Sequence, residues 1–398
     1  MRVGGAHLGY CTNVHPGESW AEIDASLRLH LPEVKRHAAP HESFGVGLRL
    51  SARAAEELEA PGAIDAFLAF LRKNDLYVFT LNGFPFGDFH GTPVKESVYR
   101  PDWSDAARLD YTLRLARLLA TLAKAGGLRE ASISTLPGTF KAFVSPSSES
   151  ASRIAEALVA CAAGLADIER KTGCRITLAL EPEPCCLLET IDETVQFFTE
   201  RLHSPAAVAR MARLSGLDAA SAAEALRRHL GVCLDLCHAA VEFENPTQCV
   251  EALRRAGIPI AKLQVSAGLR LPRVSEATVA SLSTLADGVY LHQVVEKHGE
   301  ALVRYADIDV ASAAGRWREA DVEWRVHFHV PVFRESLAGF QSTRAFVEEA
   351  LALHRQRPLS SHLEVETYTW TVLPEAERAA SLDGAIAREL CWTRERAA

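Results

Sequence analysis

The chain has 398 residues, 48% of them hydrophobic, which is ample material for a sizeable core and not the composition of a disordered segment. Its formal net charge is -8, and its 43 basic residues are scattered through helix-like segments instead of gathering into blocks. That distribution lacks the footprint of a nucleic-acid binder and favours small metabolites as ligands.

The 9 cysteines are odd in number, sit inside apolar runs (Cys161, Cys233, Cys237) or side by side (Cys185, Cys186), and include no CxxC pair. A disulfide framework and a structural zinc module are both disfavoured, and a reducing compartment is expected. The N-terminus MRVGGAHLGYC lacks the pattern of a signal peptide, and no run approaches the roughly 18 apolar residues of a membrane span. A soluble, unprocessed, cytoplasmic protein without membrane insertion is the expectation. The oligomeric state is left open; a dimer is compatible.

Short apolar runs alternate with longer segments of helical period, the pattern of repeated βα units. Strands are predicted near 3–8, 44–50, 76–82, 131–136, 175–181, 231–236, 260–266 and 362–368, with a ninth candidate at 325–332. Between them, Ile64, Phe67, Leu68 and Leu71 follow Pro61 at helical spacing. Ile154, Leu158, Cys161, Leu165 and Ile168 do the same, as do Ile191, Val195, Phe198 and Leu202. Phe346, Val347, Ala350, Leu351 and His354 precede the last strand, and Leu382, Ile386 and Leu390 mark a C-terminal helix. The prediction is one domain over 1–398, an α/β protein of the (β/α)8 TIM-barrel class. Three stretches exceed plain connections: 83–103, rich in Gly, Pro and aromatics; 203–230, a further helical segment; and 267–325, about one more βα unit.

Side chains on a strand alternate faces, so each barrel strand presents one set to the helices and another to the axis. Val232, Leu234 and Leu236 share one face of the sixth strand, leaving Gly231, Cys233 and Asp235 on the other. The same parity turns Glu181 inward on the fifth strand, Lys262, Gln264 and Ser266 on the seventh, and His362, Glu364, Glu366 and Tyr368 on the eighth. His7, Arg49, Asn82 and Ser134 take comparable places on the first four strands. Glu181, Asp235 and Glu364 or Glu366 would then converge at the barrel mouth, where unpaired like charges are costly. Lys262 or Arg49 could neutralise them as a structural ion cluster. A divalent cation fits better, because carboxylates with an amide oxygen or imidazole suit Mn²⁺, Mg²⁺, Co²⁺ or Zn²⁺.

Glu ending strand five, Asp-x-x-His ending strand six (Asp235, Leu236, Cys237, His238), a polar residue on strand seven and Glu on strand eight resemble the xylose-isomerase-like sugar isomerases and epimerases. Within that superfamily the chain is similar to the metabolite traffic protein EboE family, through NGFPFGDFHGTPVKESVYRPDW, LEPEPCCLLET, CLDLCHAAVEF, KLQVSAGL, HFHVPVF and HLEVETYTW. The resemblance implies a divalent metal held by Glu181, Asp235 and Glu366, with Glu364 the alternative on the last strand. It implies His238 as an orienting group and a sugar-like or precursor metabolite as ligand. Strand seven departs from the pattern: Gln264 stands where sugar epimerases commonly place histidine, and His327 and His329, on one face of VHFHV, are the replacement candidates.

In this reading Glu181 and Glu366 serve as ligand and general base, assisted by His238, and Glu183 is a further candidate base or substrate contact. His90, Lys95 and Tyr99 in the 83–103 loop could close over a phosphate or polyol tail, and His7, Arg49, Asn82, His329 and Tyr368 are the other candidate substrate contacts. Two other functions fit the sequence: a barrel that holds and delivers a metabolite without turning it over, and a metal-dependent hydrolase of the endonuclease-like branch, the latter opposed by the absence of a basic patch.

Overall fold

The computed structural model describes residues 1–87, 95–144, 148–285, 290–318, 321–371, 373 and 381–398. Eight parallel strands form the central ring: Ala6–Tyr10, Phe44–Arg49, Leu76–Asn82, Glu130–Thr135, Arg175–Leu180, Leu230–Asp235, Ile260–Val265 and His362–Val365. Each pairs with its neighbour in sequence, the eighth pairs with the first, and a parallel bridge between Cys11 and Gly47 closes the ring between the first and second. The fold is a (β/α)8 barrel. Its outer helices begin where side chains cap them: Ser19 and Glu22 form a capping box for Trp20–Ala38, and Thr190, Ser204, Asp218 and Asn245 each accept from a backbone N–H one turn on. The C-terminal helix Leu382–Ala397 packs on the first helix and the first strand.

The predicted strands match the observed ones closely in the middle of the barrel and less well at its seam. The first barrel strand starts at Ala6, because Arg2–Val3 folds back on it as a short antiparallel strand. The eighth stops at Val365, so Glu366 and Tyr368 stand just beyond its end.

The insertion after the seventh strand is not another βα unit. It is a six-stranded antiparallel sheet in the order Ala301–Tyr305, Val294–His298, Glu323–Val330, Ala267–Leu271, Phe340–Ser342, Ser336–Leu337. The ninth candidate strand therefore exists, at Glu323–Val330, but outside the barrel. The physical signal was a hairpin: Val294–His298 and Ala301–Tyr305 flank a two-residue turn at Gly299, whose φ of 58° needs no Cβ to clash. This sheet grows directly from the C-terminal end of the seventh strand and leans over the barrel mouth.

Inside the ring the side chains stack in layers. At the N-terminal end, His7 stacks on Phe79 and contacts His362. In the middle, Lys262 forms an ion pair with Glu364, both fully buried, and Lys262 also donates to Ser134 Oγ at 3.2 Å. Gly47 makes room for this pair: a Cβ there would lie 1.6 Å from Glu364 Oε1 and 2.9 Å from the Tyr10 carbonyl oxygen. The third layer, at the C-terminal mouth, holds the candidate site.

Candidate metal centre and cleft

Glu181 follows the fifth strand, Asp235 ends the sixth, and Glu366 follows the eighth; one oxygen of each lies within 4.8 Å of the others, and all three are buried. Glu366 is held from three sides. Asn13 Nδ2 donates to its Oε1 at 2.6 Å, Asn82 Nδ2 donates to the same oxygen at 3.1 Å, and Gln264 Nε2 donates to Oε2. Asp235 caps the short helix Leu236–Val241: its Oδ1 accepts from His238 N–H at 2.9 Å and from Ser266 Oγ at 2.7 Å. Asp235 Oδ2 and Glu181 Oε2 are buried and have no hydrogen-bond partner. Burial, then the neighbouring Glu366 and Asp235 carboxylates, push the Glu181 carboxyl well above its ordinary range, partly opposed by Lys262. Two bare carboxylate oxygens facing a third carboxylate are the donor set of a hard or borderline divalent cation, so the residues present fit the metal that the sequence suggested.

Beside this triad lie three histidines. The cap places His238 on the first turn of its helix. His327 and His329 stand two apart on the Glu323–Val330 strand, so they share a face, and both line the cleft at the barrel mouth; the strand's pairing with Ala267–Leu271 shifts register between Val326 and Val330. His238 Nε2 is 3.0 Å from His327 Nε2, which is 3.2 Å from His329 Nε2. Burial, then the neighbouring His238 and His329, hold the His327 imidazole well below its ordinary pKa. Glu183 supports the group from behind: its Oε1 accepts from Tyr99 OH at 2.6 Å and from Gln293 Nε2 at 3.1 Å, while Gln293 Oε1 accepts from His327 Nδ1 at 2.8 Å. Burial raises the Glu183 carboxyl, against the pull of His238 and its hydrogen bonds.

Both clusters open into one cleft of about 570 Å³ of empty space, counted to its open mouth. Its lining combines the polar Asn13, Asn82, Glu181, Glu366 and the histidines with Phe84, Val98, Tyr99, Tyr290, Leu291 and Tyr368. Tyr368 lies against the His329 ring with centroids 4.7 Å apart. Lys95 sits at the rim, half-exposed, its Nζ 2.6 Å from Asp307 Oδ2.

The structure thus brings together Glu181, Asp235, Glu366, Gln264, Asn82, Glu183, His238, His327, His329, Lys95 and Tyr368. Gln264 turns its amide nitrogen, not its oxygen, to Glu366. Glu364 lies one layer below the triad, on Lys262. His7 is at the far end of the barrel, donating to or accepting from Tyr77 OH at 2.9 Å. Arg49 is turned outward from the cleft, donating to the Gly17 and Gly87 carbonyl oxygens and to Glu18 Oε2. His90 lies outside the described residues. Asn13 and Gln293 were missed by sequence reasoning. Asn13 follows a strand end, as the other axial polar residues do, and could have been found by that rule; Gln293 belongs to the added sheet, and its role depends on tertiary contact.

No protein-family model matches the chain, and no curated protein does. Solved structures to which it is similar include a probable 3-DHS dehydratase, AsbF, involved in petrobactin synthesis from Bacillus anthracis, at 13% identity, 96% of this chain, 97% of that chain and a TM-score of 0.48. An L-ribulose 3-epimerase is 14% identical over 98% of this chain and 96% of that one, with a TM-score of 0.46. The IOLI protein with a binding zinc atom is 12% identical over 98% of each chain, with a TM-score of 0.45.

Proposed function

We propose that this chain is a divalent-metal-dependent isomerase or epimerase of a sugar or related polyol. The observation that carries the reading is the buried carboxylate triad with bare oxygens on Glu181 and Asp235, set at a cleft lined by both polar and aromatic side chains. A cation held by Glu181, Asp235 and Glu366 would polarise a substrate carbonyl or hydroxyl when bound. Glu366, fixed by three amide donors, has its lone pairs committed to ligation and to those amides. Glu181 Oε2 would go to the cation, and the other oxygen of this cleft-lining carboxylate would carry a proton between adjacent carbons. Asn13 and Asn82 fix the Glu366 carboxylate and line the cleft, within reach of substrate hydroxyls. The aromatic wall of Tyr99, Tyr290 and Tyr368 covers the C–H face of a bound sugar and excludes water.

An uncharged substrate suits this cleft better than a phosphorylated one. Lys95 is the one lysine or arginine lining it among the described residues, and it is already paired with Asp307. The metal is one of Mn²⁺, Mg²⁺, Co²⁺ or Zn²⁺ on ligand grounds. In the described residues no helix is long and apolar enough to cross a membrane, so nothing there opposes an aqueous substrate.

The test is turnover on a panel of free sugars, polyols and sugar phosphates in D₂O with each metal added. Product carrying deuterium at the reacting carbon, from unphosphorylated substrates, is expected. A ligand that binds tightly and is recovered unchanged and unlabelled would point instead to a barrel that carries a metabolite.

A further inference from the structure

The cleft changes character from its depth to its mouth. Every described carboxylate, amide and imidazole that lines it is buried, at 6% exposure or less. The lining side chains that stay partly exposed are Phe84, Val98, Tyr290 and Tyr368, together with Lys95, whose ammonium Asp307 already takes. Polar groups therefore meet the deep end of a ligand, and carbon, relieved only by two phenol hydroxyls, meets its outer end.

Phe84 stands where the two meet. Its N–H donates to Asn82 Oδ1 at 3.0 Å, and Asn82 Nδ2 donates to Glu366, so the apolar lining starts beside the amide that holds the carboxylate site. The Phe84 ring meets Tyr99 edge-on with centroids 5.7 Å apart, and Tyr99 in turn stacks on Phe140 at 4.7 Å, which backs this wall. Tyr290 meets Tyr368 edge-on at 5.1 Å. Pro85 and Leu291 also line the cleft and add no side-chain donor or acceptor.

A ligand with hydroxyls along its whole length would set the outer ones against Phe84, Pro85, Val98 and Leu291, where each hydroxyl that loses water without gaining a partner weakens binding. A charged tail fares worse, because the one cation in the described lining is paired. A hydrocarbon group gains there in proportion to the area it removes from water.

We propose that the substrate is amphiphilic: a sugar or polyol head whose adjacent oxygens reach the carboxylate site, carrying an uncharged alkyl or aryl substituent seated against Phe84, Val98 and Leu291. The head rests on the isomerase reading above; the apolar seat rests on the lining alone.

The test is calorimetric titration of the full chain with terminal vicinal diols, from propanediol to octanediol, once with Mn²⁺ and once in chelator. These probes keep two adjacent oxygens and lengthen only the alkyl tail. With Mn²⁺ the affinity should rise about two- to fourfold per added methylene, the increment of a partly to fully buried CH₂. Phe84→Ala and Val98→Asn should each flatten that rise and leave propanediol binding as it was, since the Phe84 backbone still anchors Asn82. The wild-type series is itself a readout, so it stands even where a variant fails to fold. No rise along that series, no binding by any member, or a rise that the folded variants keep in full would overturn the apolar seat. A rise that is equal with Mn²⁺ and in chelator, and that the variants flatten, would support the seat and contradict the metal-held head, which separates the two readings.

Discussion

Replacing Lys262 by Met removes the only cation at the middle layer of the described barrel interior and leaves Glu364 buried without its partner. Burial disfavours the Lys262 ammonium, yet the pull of Glu364 together with Cys233, Cys11 and Glu181 outweighs it and holds the lysine above its ordinary pKa, while burial pushes Glu364 up against the attraction of Lys262. Breaking such a pair by removing one member costs about 3–5 kcal/mol, whereas replacing both members by apolar groups of similar volume is close to neutral. The assay is urea unfolding of wild type, Lys262→Met, Glu364→Leu and the double variant, with bound metal measured in parallel. Each single variant should lose about 3–5 kcal/mol, the double should recover most of it, and all folded variants should keep the carboxylate-bound metal. A Lys262→Met loss below about 1 kcal/mol, or a double variant as unstable as the two losses added, would refute the buried pair. Loss of metal in the folded double variant would make Glu364 a ligand after all.

Gly47→Ala should destabilise the barrel by about 3 kcal/mol in the same assay, because the new methyl meets the Glu364 carboxylate and the Tyr10 backbone, which cannot withdraw far. Asp235→Asn keeps an oxygen to cap Leu236–Val241, so its unfolding midpoint in chelator should stay near that of the wild type, while bound metal falls sharply. Glu389→Ala strands three donors, Val332 N–H, Thr367 Oγ and Trp370 Nε1, and should cost about 3 kcal/mol by thermal or urea unfolding. Burial raises the Glu389 carboxyl to about 7, so the native state keeps a proton that the unfolded chain releases near pH 4.3. Its contribution is full below that pH and is lost as pH rises toward about 7; Glu389→Gln should flatten this part of the Tm-against-pH curve, and an unchanged slope would contradict the assignment.

The barrel was legible because its strands are short apolar runs whose parity must serve two faces at once. Small and polar residues at 231, 233 and 235 can only alternate with Val232 and Leu234 if one side meets helices and the other an axis. The same rule found the third layer of the interior, where Asp235, Gln264 and Glu366 meet. It gave no depth for His7 and Arg49: both are axial in parity, but His7 sits at the N-terminal end, and the Arg49 guanidinium leaves the axis to bind Gly17, Glu18 and Gly87. Nor did it separate Glu364 from Glu366, since residues two apart share a face and only the partner, Lys262 below or the amides above, tells them apart. The added sheet escaped the reading of 267–325 as about one more βα unit, because Val294–His298 and Ala301–Tyr305 are five-residue strands joined by a two-residue turn, too short to stand out from loop sequence. With it went the placement of His327 and His329, whose meeting with His238 is a tertiary contact between the added sheet and the helix Leu236–Val241.

The central claim is that Glu181, Asp235 and Glu366 hold a divalent ion at the floor of the cleft. A crystal structure of the protein soaked in Mn²⁺, with an anomalous difference map recorded on the manganese signal, tests it directly. A peak among those three carboxylates, in contact with Glu181 Oε2 and Asp235 Oδ2, is the expected result. A well-ordered map with the three side chains in place and no peak between them would contradict it.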